Sequence, residues 1–232
     1  MDSRQALVFA ILEDRRGEVK RLLQRHPELA GCPVAEQDFC PPQLEHWVYQ
    51  GDTGLHLAAA GYRVEILATF LAAGAEASAC ADRRRSQPIH YTADGHRRSP
   101  AWDESRQAAA IRILLDAGAN RDAQDENGAT PLHRAVRTRC AGAVNLLLRS
   151  GATPTIQNRS GSTPFHLAVM DTGRGGSGTR EARLAQGEIV RAFLEHGVLP
   201  TLKDAKGRSV LESARSEWIR RILTGGAGEI SR

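Results

Sequence analysis

Four histidines, His56, His90, His133 and His166, are the first residues in this chain that could do chemistry, because imidazoles in a recurring setting can ligate a metal or move protons. Each closes a tetrapeptide. The clear copies are Thr130-Pro131-Leu132-His133 and Thr163-Pro164-Phe165-His166, and the degraded ones are Thr53-Gly54-Leu55-His56 and Gln87-Pro88-Ile89-His90. From Thr130 to Thr163 is 33 residues and from Thr53 to Gln87 is 34, the period of a stacked structural unit. Equivalent side chains in neighbouring units lie about 10 Å apart, the packing distance of helices, whereas zinc needs its nitrogens near about 2.1 Å. The four rings therefore cannot share one ion, and metal sites are expected to be none.

The remaining chemical candidates fail on context. Cys32, Cys40, Cys80 and Cys140 form no C-x-x-C pair and have no matching His-x-x-x-His, so they read as reduced structural thiols. Residues 173–178 spell G-x-G-x-x-G, but the preceding Phe165 to Met170 reads as a helix where a nucleotide-binding turn requires a strand. A flexible insertion explains those glycines, and no cofactor is expected. No Ser/His/Asp or Cys/His arrangement and no paired carboxylates can be assembled, so the chain reads as a non-enzyme without catalytic residues.

The elements that position these residues follow from the pattern between them. With 41% hydrophobic and 25% charged residues among 232, the chain can fill a core, and three Trp, three Tyr and five Phe mean that Leu, Ile, Val and Ala must do most of the filling. Each tetrapeptide is followed by a second helical pattern that ends at a glycine, as in 66–75, 111–119, 144–152 and 189–198. Apolar residues at i, i+3 and i+4 give each of these helices one buried stripe. Threonine is placed to cap the first helix, and proline sits where an amide donor would be unsatisfied anyway.

On these residues the sequence resembles the ankyrin repeat family, strongly over about 50–224 and weakly over the first 30. The resemblance implies an all-α solenoid of helix-turn-helix units joined by β-turn fingers. It also implies structural roles for Thr53, His56, His90, Thr130, His133, Thr163 and His166, each imidazole bonding to nearby backbone and to the threonine. Residues 1–30 read as an N-terminal capping helix pair, 31–50 as an irregular linker, 51–224 as repeats with a degenerate C-terminal cap from 204, and 225–232 as a flexible tail. Gln87 to Thr130 spans 43 residues and Thr163 to Ser209 spans 46, so two repeats are long for a period of about 33. The excess falls between the two helices of the unit, near 94–104 and 171–186.

The resemblance implies a protein-protein interaction module, a scaffold or an inhibitor that binds through finger tips, inner helices and insertions. The repeat frame puts Arg83, Arg84 and Arg85 on one finger tip, Arg159 on another, and Arg137 and Arg139 at an inner-helix end. These are the basic contacts, and Tyr62, Trp102 and Met170 the apolar ones. A net charge of +4 and a pI near 9.1 permit an acidic protein partner or nucleic acid and demand neither. The alternative is nucleic-acid binding along the arginine-rich edge, which ranks lower because few aromatics are available to stack on bases. Arg85 stands where other units carry Gly51, Gly128, Gly161 and Gly207, so that finger must change its turn or carry strain. The N-terminus lacks a secretory layout and no apolar run approaches a membrane span, so a cytoplasmic monomer is expected.

Overall fold

A computed structural model describes residues 2–34, 37–80, 84–95, 102–171 and 178–225. They form two compact units, Met1–Glu126 and Asn127–Arg232. The regular elements among the described residues are all helical, joined by isolated antiparallel bridges such as Pro33 to Thr53 and Phe39 to Val48.

In the first unit, α1 (Ser3–Leu12) and α2 (Arg16–Arg25) lead into a 3-10 turn at Pro27–Ala30. The described residues between 31 and 53 hold no helix; α3 (Gly54–Ala60) and α4 (Val64–Ala72) come next, followed by α5 (Pro88–Ala93) and α6 (Glu104–Asp116). All seven residues of α3 are buried, so this helix has no solvent face and uses small side chains to fit between its neighbours. Gly54 explains why the first tetrapeptide lacks proline. A Cβ built there would lie 2.3 Å from the Phe70 ring, so the phenylalanine of α4 occupies the space that a side chain would need.

The second unit holds α7 (Pro131–Arg137), α8 (Ala141–Arg149), α9 (Pro164–Ala168), α10 (Arg180–Glu195), α11 (Val210–Ser213) and α12 (Glu217–Leu223). Phe165 of α9 stacks on Phe193 of α10 with centroids 4.7 Å apart, and both rings are fully buried. The fingers are tied in register by backbone bonds: Arg159 N–H donates to Asn127 O at 2.8 Å, and Ala205 N–H to Gly161 O at 3.0 Å.

Two boundaries differ from the sequence reading. Outer helices α4 and α8 have nine residues each, but α6 has 13 and α10 has 16. Asp103 caps α6 by accepting from Arg106 N–H, and Thr179 caps α10 by accepting from Ala182 N–H. Residues 180–186, expected as insertion, are therefore outer helix, and part of the excess length is helix extension. Residues 96–101 and 172–177, which include most of the glycine-rich motif, lie outside the described residues.

Candidate functional site

The tetrapeptide histidines are committed to the backbone. Nδ1 of His56 accepts from Thr53 N–H at 3.1 Å, and Nδ1 of His133 accepts from Thr130 N–H at 3.1 Å. An accepting Nδ1 leaves Nε2 as the protonated nitrogen, and it donates to the next finger: His56 to Ser86 O, His90 to Ala123 O, His133 to Ser162 O and His166 to Arg208 O, all at 3.0–3.1 Å. Thr163 Oγ1 lies 2.8 Å from His166 Nδ1. Burial pushes the His56 imidazole below its ordinary pKa despite the nearby Asp52, and burial acts the same way on His166. These rings hold finger to helix and present no free nitrogen to a ligand.

The turns between helices carry a second bracing system. In the short units the chain reverses through a left-handed residue without glycine: Asp14 at φ 52°, Tyr62 at 51° and Arg139 at 60°. Bulky residues seldom adopt this region, and here their side chains anchor the turn. The Tyr62 hydroxyl donates to Asp94 O at the end of α5. The Arg139 guanidinium donates to Ala168 O at 3.3 Å and to Met170 O at 3.0 Å, at the end of α9. Tyr62 is 1% exposed and Arg139 8%, so both leave the set of expected partner contacts; their polar ends are spent on main-chain carbonyls. Burial lowers the Arg139 pKa to about 10, which keeps it charged at neutral pH.

In the two long repeats a glutamine of the extended outer helix reaches carbonyls at the same inner-helix end: the ones Arg139 uses in the case of Gln186, and ones neighbouring Tyr62's in the case of Gln107. Gln107 donates to Thr92 O at 2.9 Å, and Gln186 donates to Ala168 O at 2.8 Å and Met170 O at 2.9 Å. Sequence reasoning missed both. The signal was present: each glutamine stands 11 residues before the glycine that closes its helix, Gly118 or Gly197. A buried polar group in the irregular segment was missed as well. The Tyr91 hydroxyl donates to Asp52 Oδ2 at 2.7 Å, its ring lies 4.8 Å from that of His46, and His46 Nε2 is 3.8 Å from Asp94 Oδ2. These residues pin segment 31–50 to the inner helices.

The other expected contacts separate by unit. Arg83 lies outside the described residues. Arg84 places its guanidinium 3.9 Å above the Tyr49 ring, with its Nε 3.9 Å from Glu126, so much of its interaction capacity is spent internally. Arg85 is exposed with φ 50°, the left-handed turn that glycine supplies in the other fingers. Trp102 donates its Nε1 hydrogen to Gln107 Oε1 at 3.2 Å and is half-buried, so its polar end is spent on α6. Arg137 and Arg159 are exposed in the second unit, and Met170 is 52% exposed.

Charge divides more sharply than the net +4 suggests. The first unit carries 15 Lys and Arg against 19 Asp and Glu, while the second carries 16 against 8. The second unit is thus +8 and the first −4. On the second unit's fingers, Asp204 accepts from Lys206 N–H and Arg208 N–H at 2.9 Å each and holds the Arg208 guanidinium at 2.9 Å. Burial opposes the charged Asp204 carboxylate, but these hydrogen bonds outweigh it and hold the pKa below the ordinary value. Beside this pair a cleft of about 190 Å³ opens, lined by Ser162, His166, Met170, Asp171, Asp204, Arg208, Ser213 and Arg215. Among the described residues no group of three or more His, Cys, Asp or Glu could hold a metal ion, and no helix is long and apolar enough to cross a membrane.

Residues 114–168 match the family described as ankyrin repeats (many copies). Over 72 residues, 31% of this chain, the sequence is 36% identical to the Neurogenic locus Notch protein of Drosophila melanogaster. The match spans 2% of that protein's length.

Proposed function

We propose that this chain, an ankyrin-repeat protein, is a non-enzymatic module that binds an acidic protein through the fingers and inner-helix ends of its second unit. Ankyrin repeats are in general protein-protein interaction modules. The observation that carries the acidic partner is the partition of charge, +8 in Asn127–Arg232 against −4 in Met1–Glu126. A field of that sign attracts and orients an acidic surface, and arginine favours planar pairing with carboxylates. Arg137, Arg159, Lys206 and Arg215 supply it on exposed finger and helix-end positions. The bracing histidines, Arg139 and Gln186 keep that surface preorganised, so little conformational entropy is lost on binding.

The basic contacts then lie on the second unit rather than on the Arg83 to Arg85 finger. Arg84 is engaged with Tyr49 and Glu126, and its unit is net acidic. The test is affinity capture from the native cell with nuclease present, using the wild-type chain and an Arg159→Glu/Lys206→Glu chain. An acidic protein retained by the first and lost by the second is expected. Recovery that vanishes with nuclease would replace the protein partner by nucleic acid, whose binding falls steeply with salt.

A further inference from the structure

The two units treat one position of the repeat differently. Seven residues after the start of each tetrapeptide stand Ala60, Asp94, Arg137 and Met170. In the second unit Arg137 is exposed and Met170 is 52% exposed, whereas in the first Ala60 is 1% and Asp94 5% exposed. The segment that lies against the first unit's pair is residues 37–50. Phe39 N–H donates to Val48 O at 2.9 Å and Val48 N–H to Phe39 O at 2.8 Å, so this segment is a hairpin. Its tip closes where Pro41 O accepts from Leu44 N–H and Glu45 N–H, both at 3.0 Å. Leu44 and Val48 are fully buried, and a Cβ built on Gly61, next to Ala60, would lie 2.8 Å from Leu44 Cδ2. His46 sets its ring 4.8 Å from that of Tyr91, with Nε2 3.8 Å from Asp94 Oδ2.

Three features make this seat separable from the array beneath it. The backbone bonds that shape the hairpin close within it, so its departure leaves the inner-helix bonds intact. Gln43 Oε1 is buried without a hydrogen-bond partner, although such an atom is nearly always paired in a folded protein. Glu45, at the tip, holds a φ of 49°, in the left-handed region that residues other than glycine seldom enter. The stem is held apart from the tip: Val34 N–H donates to Asp52 O at 2.8 Å, and the Tyr49 ring lies under Arg84.

We infer that the hairpin of residues 37–50 is an autoinhibitory ligand held in cis. It fills the groove along the ends of α3 and α5 and must swing out before a partner segment can use the first-unit counterpart of Arg137 and Met170. That groove is lined by Ala60, Gly61, the Tyr91 ring and the Asp94 carboxylate, so it takes a segment that presents a leucine and an imidazole as the hairpin does. A tethered ligand acts at an effective concentration of about millimolar and so holds free segments out. The acidic-partner reading concerns the second unit and stands or falls separately.

A synthetic peptide of residues 37–50 carrying Cys40→Ser is titrated by calorimetry into the wild-type chain and into a full-length chain whose residues 37–50 are replaced by an equal length of Gly and Ser. Saturable binding to the replaced chain is expected, at least tenfold tighter than to wild type, with at least a tenfold loss for the Leu44→Asp peptide. Native-state amide exchange in the wild-type chain tests release directly. The Phe39 and Val48 amides should exchange at least tenfold faster than those of Leu57 and Gly61, which are bonded along α3. Glu45→Gly, which removes the strain at the tip, should slow the first pair a few-fold and leave the second unchanged. Equal peptide affinity for the two chains, no binding to the replaced chain, or an unaffected Leu44→Asp peptide would overturn the inference. So would Phe39 and Val48 amides as slow as those of α3, which would make the hairpin a fixed part of the core. If the replaced chain does not fold, the exchange rates decide.

Discussion

Arg139 and Gln186 donate to the same two main-chain carbonyls, Ala168 O and Met170 O, from opposite elements: one from the turn before α8, the other from the extended part of α10. The end of α9 is held from both sides, and with it the backbone that carries Met170 and Asp171 into the cleft. At the end of α5, Tyr62 and Gln107 also donate from two elements, but to different carbonyls, Asp94 O and Thr92 O. A lengthened repeat thus keeps its inner helix in place by borrowing a side chain from the preceding turn and adding a glutamine of its own.

Arg139→Ala and Gln186→Leu should each destabilise the protein by about 1–3 kcal/mol, since each removes a donor from buried carbonyls. Because the two donors share acceptors, their effects should not add, with a coupling of about 0.5–3 kcal/mol from a double-mutant cycle. Urea unfolding of the four chains measures it.

Arg85→Gly should stabilise the protein by roughly 0.5–1 kcal/mol, since Arg85 is exposed and holds a φ of 50° that glycine adopts without steric cost. The same substitution should leave binding by the second unit unchanged. Thermal unfolding and a binding assay together check both halves.

Gly54→Ala should destabilise by about 1–3 kcal/mol, because the new methyl meets the Phe70 ring at 2.3 Å inside a filled core. Pairing it with Phe70→Leu should recover part of the loss. Denaturant midpoints of the single and double variants decide whether the missing proline reflects packing.

His56 makes stability depend on pH with a definite sign. Its folded pKa lies below 6.5, so on acidification the unfolded chain takes the proton first. The contribution is fully present above about pH 6.5 and is lost as pH falls below it, at up to about 1.4 kcal/mol per pH unit for one residue. His166 adds to the same slope. Melting temperatures at pH 7.5 and pH 5 should differ accordingly, and His56→Gln, though less stable, should show a flatter profile.

The fold could be read from the chain because its punctuation recurs. A threonine cap, a proline at the first helical turn and a closing glycine each act locally, and a 33-residue period brings them back often enough to count. The candidate surface was harder to read, because exposure at a turn depends on where a side chain can reach. Tyr62 and Arg139 look like surface residues by register, yet each reaches a carbonyl of the following unit's inner helix and is buried by doing so. Gln107 and Gln186 carry no distinctive pattern of their own; only their shared offset from a glycine marks them. The charge partition was in the residues throughout, but it acquires a boundary only when the units divide at Glu126.

The most direct measurement compares two charge-reversed full-length chains for affinity to the captured acidic partner by calorimetry. One carries Arg159→Glu and Lys206→Glu in the second unit, and the other Arg84→Glu and Arg85→Glu in the first. The account predicts a loss of at least tenfold for the second-unit chain and less than threefold for the first-unit chain. Equal losses, or a larger loss from the first unit, would contradict it.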